Sequence, residues 1–374
     1  MAWKETDRVN ERREFVVMAG SGMVSFAELC RRFGVSRPTG YEWLSRWESE
    51  GEEGLRDRSR RPLNSPARTA APVEDVVVKL RRKHPRWGGR KISRVLKNRG
   101  YSDVPAPSTV TGILRRNGLL NPDPAPRAYE SFERAVPNEL WQMDFKGWFG
   151  LDDNTQCHTF GMLDDHSRFN LVLAACGNQQ SSTVKQLLTR AFKTYGLPEA
   201  ILCDNGSPWG HDHEFKWTGL GVWLCDVGVD VIHSRPFHPQ TAGKEERFHL
   251  TLDWEVISTR DQWSDLKTVQ AAYDKWRTVY NYERPHDSLA LDVPADHYQP
   301  STRPMPLTIE PVEYPDDYMV RKVSSAAVIS FKGRKVRVGK AFRNQLVGIR
   351  PTTTDGIYQV HYRQKPIRTL NLTT

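Results

Sequence analysis

Between residues 139 and 233, apolar positions gather in short runs rather than at helical spacing. The runs around 140–146, 158–163, 169–175, 200–203 and 229–233 predict strands. A stretch at 182–195 places Val184, Leu187, Leu188, Ala191 and Phe192 three and four residues apart, which predicts a helix between them. Three successive strands followed by alternating helix and strand predict an α/β unit, a mixed sheet with helices on its faces. Helical spacing returns beyond Thr241, where Leu266, Val269, Tyr273, Trp276 and Tyr280 mark a packed helix at 263–282.

Helical pattern also dominates the N-terminal third. Residues 25–47 read as two short helices around the turn Phe33-Gly34-Val35, with Ala27, Leu29 and Phe33 inward, Ser36 as cap and Pro38 in the second helix's first turn. This is the helix-turn-helix pattern, whose second helix enters the major groove, so Arg37, Thr39 and Arg46 are candidate DNA contacts. A plain helical hairpin is the bland alternative; the glycine turn and the adjacent arginines favour DNA. The expected organisation is a helix-turn-helix unit at 1–50, then a basic linker at 51–72 that carries Arg58, Arg60 and Arg61. A second helical DNA-binding unit follows at 73–120, with Arg90, Arg115 and Arg116 offered to phosphate. A linker at 121–137 leads to a core at 138–293. A proline-marked linker at 294–317 precedes a tail at 318–374 that alternates apolar and basic residues between glycine turns and predicts a small β-barrel.

Charge sharpens this picture. The net charge is +9, but residues 1–120 carry +11, residues 318–374 carry +11, and 121–317 carry −13. Two basic ends around an acidic centre suit a chain that grips a polyanion at its flanks and gathers carboxylates between them. The five cysteines are scattered, which argues against a disulfide framework or a zinc ribbon and for a reducing cytoplasm. No apolar run approaches the ~20 residues of a membrane span, so no membrane association is expected.

Three carboxylates stand out by context. Asp144, in WQMDFKG, falls inside a predicted strand among large apolar residues, where a carboxylate is costly unless paired or bound to metal. Asp204 follows the run AILC and precedes the turn Asn205-Gly206. Glu246, in HPQTAGKEERFHLTL, opens a helix beside Gly243. Strand interior, strand end and helix start can meet at one sheet edge, and hard oxygen ligands suit Mg²⁺ or Mn²⁺. With 45 acidic residues in the chain, the triplet alone is a weak signal.

The stretches WQMDFKG, LDDHSRF, ILCDNGSPW and HPQTAGKEERFH, in this order, resemble the signature segments of the integrase core shared by retroviral integrases and bacterial insertion-sequence transposases of the DDE class. GVSRPTGYEWLSRW and GLRDRSRRP resemble the DNA-binding head of such transposases, and YNYERPHDSLALDVPADHY resembles the segment that closes their core. The resemblance implies a ribonuclease-H-like core and assigns catalysis and metal binding to Asp144, Asp204 and Glu246, with two Mg²⁺ per active site and Mn²⁺ as a substitute. The intervals between these three are 59 and 41 residues, the second longer than usual in that family. Asp253 stands where many relatives carry Lys or Arg, two turns after the catalytic Glu, so Arg247 and His249 are the substitutes for that phosphate contact. His238 is a secondary candidate for substrate phosphate. Glu245 adjoins Glu246, but neighbours on a helix point about 100° apart, and the GKEER match selects Glu246. LDDHSRF reads as a turn between strands, which gives Asp164 and Asp165 a structural role.

The function implied is a transposase that binds the ends of a mobile element and performs metal-dependent cleavage and strand transfer. Its partners would be terminal-repeat DNA, target DNA and further copies of itself in a synaptic complex, in a bacterial cytoplasm at the nucleoid. Two alternatives remain from the residues alone: a DNA-binding regulator with an inactive core, and a stand-alone nuclease of ribonuclease-H type.

Overall fold

The computed structural model describes residues 7–58, 69–120, 133–206, 208–209, 217–233 and 243–373. The chain divides into two units, 1–68 and 69–374.

The first unit holds α1 (Arg8–Ser21), α2 (Phe26–Arg32) and α3 (Arg37–Glu50). The turn between α2 and α3 follows the predicted pattern: Ser25 caps α2 by accepting from Glu28 N, and Ser36 caps α3 by accepting from Thr39 N. Helix α1 has no counterpart in the expected pair. Only Phe15 and Val16 are buried along its 14 residues, so its apolar stripe is too thin to read. These two side chains close a small core with Leu29, Cys30 and Leu55.

In the second unit, α4 (Ala71–Lys83), α5 (Gly89–Asn98) and α6 (Pro107–Arg116) pack around Trp87, Ile92, Leu96, Val110 and Ile113. Trp87 is wholly buried. The basic side of α5 is turned to the acidic segment 283–292: Arg94 pairs with Asp292, Arg99 Nη2 lies 3.3 Å from Glu283, and Arg90 and Lys91 lie 3.2 and 3.6 Å from Asp287.

The central sheet has the order β3-β2-β1-β4-β5. Strands β1 (Leu140–Gly150), β2 (Gln156–Asp164) and β3 (Asn170–Cys176) form an antiparallel meander, and β4 (Ala200–Cys203) and β5 (Asp230–His233) add in parallel. All five predicted strands are present, and α7 (Ser181–Tyr195) is the predicted helix. One face of the sheet packs on α7 and α8 (Gly219–Asp226), with Trp141, Met143, Phe160 and Ile201 against Val184, Leu188, Phe192 and Leu224. The other packs on α9 (Gly243–Glu255) and α10 (Leu266–Tyr282), with Cys157, Leu163 and Leu173 against Phe248, Leu252, Tyr273 and Trp276.

In the tail, β6 (Met319–Lys322), β9 (Leu346–Pro351), β10 (Ile357–Tyr362) and β11 (Lys365–Asn371) form one antiparallel sheet, and β7 (Val328–Phe331) and β8 (Arg334–Arg337) form a hairpin. The two share an apolar core of Ile329, Phe331, Phe342, Ile349 and Tyr362 but not a continuous ladder. The predicted closed barrel is therefore two small sheets over one core. Tyr362 and Arg363 fasten this tail to Asp226 of α8, at 2.7 and 2.9 Å. No helix among the described residues is long and apolar enough to cross a membrane.

Candidate carboxylate site and nucleic-acid contacts

Alternation along β1 separates its side chains by face. Trp141 and Met143 enter the core under α7, while Gln142 and Asp144 project toward α9, where His249 Nδ1 stands 3.8 Å from Asp144 Oδ2. Strand β4 lies parallel beside β1 with Gln142 opposite Leu202. Two residues further, the same register sets Asp204 at the strand end level with Asp144. Asp204 is exposed, and its Oδ1 accepts from Gly206 N at 2.8 Å and from the indole N–H of Trp209. Trp209 is itself buried and stacked on Phe145, with ring centroids 5.5 Å apart.

Glu246 lies in the first turn of α9 and is exposed. The start of that helix is pinned by Lys244, whose Nζ donates to Asp165 Oδ1 at 2.5 Å. Close packing of α9 on the sheet depends on Gly161, the cross-strand partner of Asp144. A Cβ at Gly161 would meet His249 Nε2 and Phe248 Cε1, both at 3.1 Å.

Burial, then the charge of Asp204, push the Asp144 carboxyl up to about 6; Glu246 adds to the rise, and the Phe145 N–H opposes it. Asp204 and Glu246 thus lie close enough to act on the charge of Asp144. Glu245 takes the inward position, 3% exposed. Burial and then the charge of Asp144 raise its pKa well above that of a free glutamate, and the Leu163 N–H opposes the rise. His249, 3.7 Å from Glu245, is depressed to about 4 by burial and then by Lys146, and is neutral. Among the described residues, no three of these groups close into a metal-ligand cluster. Hard oxygen donors are carried on the inner strand β1, at the end of its neighbour β4 and in the first turn of α9.

Asp164 and Asp165 are wholly buried and serve the turn between β2 and β3. Asp164 accepts from Ser167 N and Asn138 N at 2.8 and 2.7 Å, and Asp165 accepts from Arg134 N and Gln142 Nε2 at 2.8 and 2.5 Å.

The candidate DNA contacts divide into exposed and engaged groups. Arg37, Arg115 and Arg247 are exposed on α3, α6 and α9. Thr39 bonds the capping Ser36 at 2.8 Å. Arg46 lies over Trp43 at 4.2 Å and donates to Arg56 O at 2.6 Å. Arg58 pairs with Glu50, Arg90 with Asp287, and Arg116 with Glu74 at 2.5 Å. Arg60, Arg61 and His238 lie outside the described residues. Trp209, Lys244 and Gly161 were not singled out from sequence. The nearest signals were the placement of the tryptophan in ILCDNGSPW and of the lysine in GKEER.

Comparison with known proteins agrees with this architecture. Family models for an integrase core domain match residues 134–239 and 227–294, and the IS481 family transposase C-terminal domain matches 318–374. A helix-turn-helix domain matches 11–62 and a homeodomain-like domain matches 39–114. An uncharacterized 31.7 kDa protein of insertion element IS407 from Burkholderia multivorans is 25% identical over 162 residues, 43% of this chain and 55% of the relative. The chain thus spans about half the length of that relative. Among solved structures, the simian T-cell lymphotropic virus intasome with the PP2A regulatory subunit B56 gamma covers 79% of this chain and 99% of its own, at 16% identity and TM-score 0.37. The HTLV-2 integrase catalytic core in complex with magnesium covers 44% of this chain and 99% of its own, at 15% identity and TM-score 0.33.

The mixed sheet with helices on both faces is the part of the chain that the integrase core domain models match. Behind that core, residues 318–374 match the C-terminal domain of IS481 family transposases, so three successive segments of the chain resemble parts of an insertion-sequence transposase.

Proposed function

We propose that this chain binds the ends of a mobile DNA element and performs metal-dependent strand cleavage and transfer at Asp144, Asp204 and Glu246. The observation that carries this reading is the Asp144 carboxyl, set on the central strand, level with Asp204 at the end of β4, and raised in pKa by burial first and then by the charges of Asp204 and Glu246. Such a concentration of like charge disfavours the ionised state until a cation neutralises it. The donors are carboxylate oxygens, which fit Mg²⁺, or Mn²⁺ in its place.

Two such ions, when bound, would activate the attacking water or 3′-hydroxyl and neutralise charge on the phosphate in an in-line displacement. The protein's own part is placement. Asp144 is immobilised by the strand and by the Phe145 N–H at 2.8 Å, and Asp204 by Trp209 and Gly206. Glu246 is set by the fastening of α9. The same centre serves hydrolysis at an element end and attack of the freed 3′-hydroxyl on target DNA, with a second chain holding the second end. The helical units within 1–120 and the basic tail 318–374 supply the grip on duplex phosphates, and segments 121–137 and 294–317 link them to the core at 138–293.

The test is cleavage and joining of an end-bearing duplex by Asp144→Asn, Asp204→Asn and Glu246→Gln. Each is expected to lose Mg²⁺-dependent chemistry while retaining end binding. Wild-type activity in a single such variant removes that residue from the site, and binding without any cleavage by the wild type favours the regulator instead. Glu245→Gln in parallel discriminates the two adjacent acids.

A further inference from the structure

Strand β1 leaves its ladder once, between Phe145 and Trp148, where Lys146 and Gly147 together face the single residue Thr159. Gly147 takes φ +104° there, a value that L side chains rarely adopt. A bulge of this kind shifts the alternation and re-aims a side chain. Gln142 and Asp144 face α9 before it, and Phe149 and Leu151 pack on that side after it. Lys146 is the last residue in phase with Asp144. Its Nζ reaches Asp253 Oδ1 of α9 at 2.8 Å.

Asp253 is held in turn by Ser258 Oγ, 3.0 Å from Oδ2. Glu246 and Asp253 are seven residues apart, close to two helical turns, so they share one stripe of α9 about 10 Å apart. His249 lies between them and against Asp144. The Lys146 ammonium is thus fixed on the carboxylate side of the sheet, with its side chain 28% exposed and that of Asp253 30% exposed. A pair this open contributes little to stability. It does place one oriented, water-accessible cation on the Asp144 face of the sheet, two residues along β1 from that carboxylate and near enough to His249 to act on its charge, where a phosphodiester that spans the carboxylates has to extend.

We propose that Lys146, aimed by the β1 bulge and held by Asp253, binds a non-bridging phosphate oxygen of the DNA strand at the carboxylate site. Asp253 is a positioning residue. This rests on the function proposed above, and it explains how the chain accommodates an acid on α9 where a cation is expected: the cation comes from the neighbouring strand.

The experiment uses the full chain and an end-bearing duplex, with binding measured against salt concentration in Ca²⁺, a hard ion for the same oxygen ligands. Removing one phosphate contact in Lys146→Gln should reduce the salt slope by about one unit and raise the apparent KM for cleavage several-fold, with kcat changed less. Asp253→Asn keeps the ammonium and should keep the slope. The exchange Lys146→Asp with Asp253→Lys returns a cation to the same place from the helix and should restore the slope. An unchanged slope in Lys146→Gln, with Lys146→Gln and Asp253→Asn merely lowering Tm alike, would show a structural ion pair and overturn the proposal. If the wild type cleaves nothing in Mg²⁺, the functional reading fails, while the slope still decides whether Lys146 touches phosphate.

Discussion

Lys244 Nζ lies 2.5 Å from Asp165 Oδ1 and 3.1 Å from its carbonyl oxygen, which ties the first turn of α9 to the turn between β2 and β3. The Asp165 side chain is fully buried and that of Lys244 only 12% exposed. The same carboxylate also receives Gln142 of β1, so one buried charge connects the strand of Asp144 with the helix of Glu246.

Removing one partner of a buried pair leaves the other uncompensated, at a cost of about 3–5 kcal/mol. Lys244→Met is therefore expected to lower the denaturation midpoint strongly and to displace Glu246. Denaturant titration checks this. A loss below about 1 kcal/mol, the size of an exposed pair, would mean that the bridge does not fix α9.

Asp144 predicts an unusual pH dependence. Its folded pKa of about 6 exceeds the ordinary 3.8, so between those values the folded protein keeps a proton that the unfolded chain has lost. Stability then falls as pH rises through that window, and the penalty is complete above 6. Asp144→Asn has no charge to desolvate. In the metal-free protein it should melt higher than wild type at pH 7.5 and converge with it near pH 4, and Mg²⁺ should close the gap by stabilising only the wild type. Calorimetry with and without chelator reads both effects; an Asn variant no more stable than wild type at pH 7.5 would contradict the strained carboxylate.

The sheet was legible because its strands are short apolar runs bounded by turns, and α10 because Val269, Tyr273, Trp276 and Tyr280 keep helical spacing and are all buried. Helix α1 was not, since two buried residues make no period. The three carboxylates were legible by resemblance more than by pattern. What holds them was not: Trp209 and Asp204, Lys244 and Asp165, and Gly161 and His249 meet only after folding, and no local spacing encodes such contacts. The acidic partners of Arg90 and Arg116, Asp287 and Glu74, were not legible either, because they come from distant parts of the same unit.

Gly161→Ala tests how closely α9 must approach. The added methyl would lie 3.1 Å from both His249 Nε2 and Phe248 Cε1, so the helix or these rings must shift by a few tenths of an ångström. Overpacking of this kind costs about 1–3 kcal/mol. The variant should fold with a lowered Tm and cleave more slowly, with end binding unchanged. Unaltered cleavage would show that α9 tolerates displacement.

Trp209→Phe separates the two roles of the indole. The ring stacks on Phe145 and fills the core under α7, and a phenyl group keeps much of that contact. The N–H that donates to Asp204 is lost. A hydrogen bond to a charged acceptor contributes about 1.5–3 kcal/mol, and here its effect falls on the orientation of a carboxylate at the end of β4, where Gly206 N still donates to Oδ1. Metal affinity measured by calorimetric titration is therefore expected to fall by about tenfold or more, since 1.4 kcal/mol corresponds to a factor of ten, with the unfolding midpoint reduced only modestly. Equal losses of stability and affinity would assign Trp209 to the core alone. Full affinity with a normal midpoint would show that Asp204 needs no indole to hold its place.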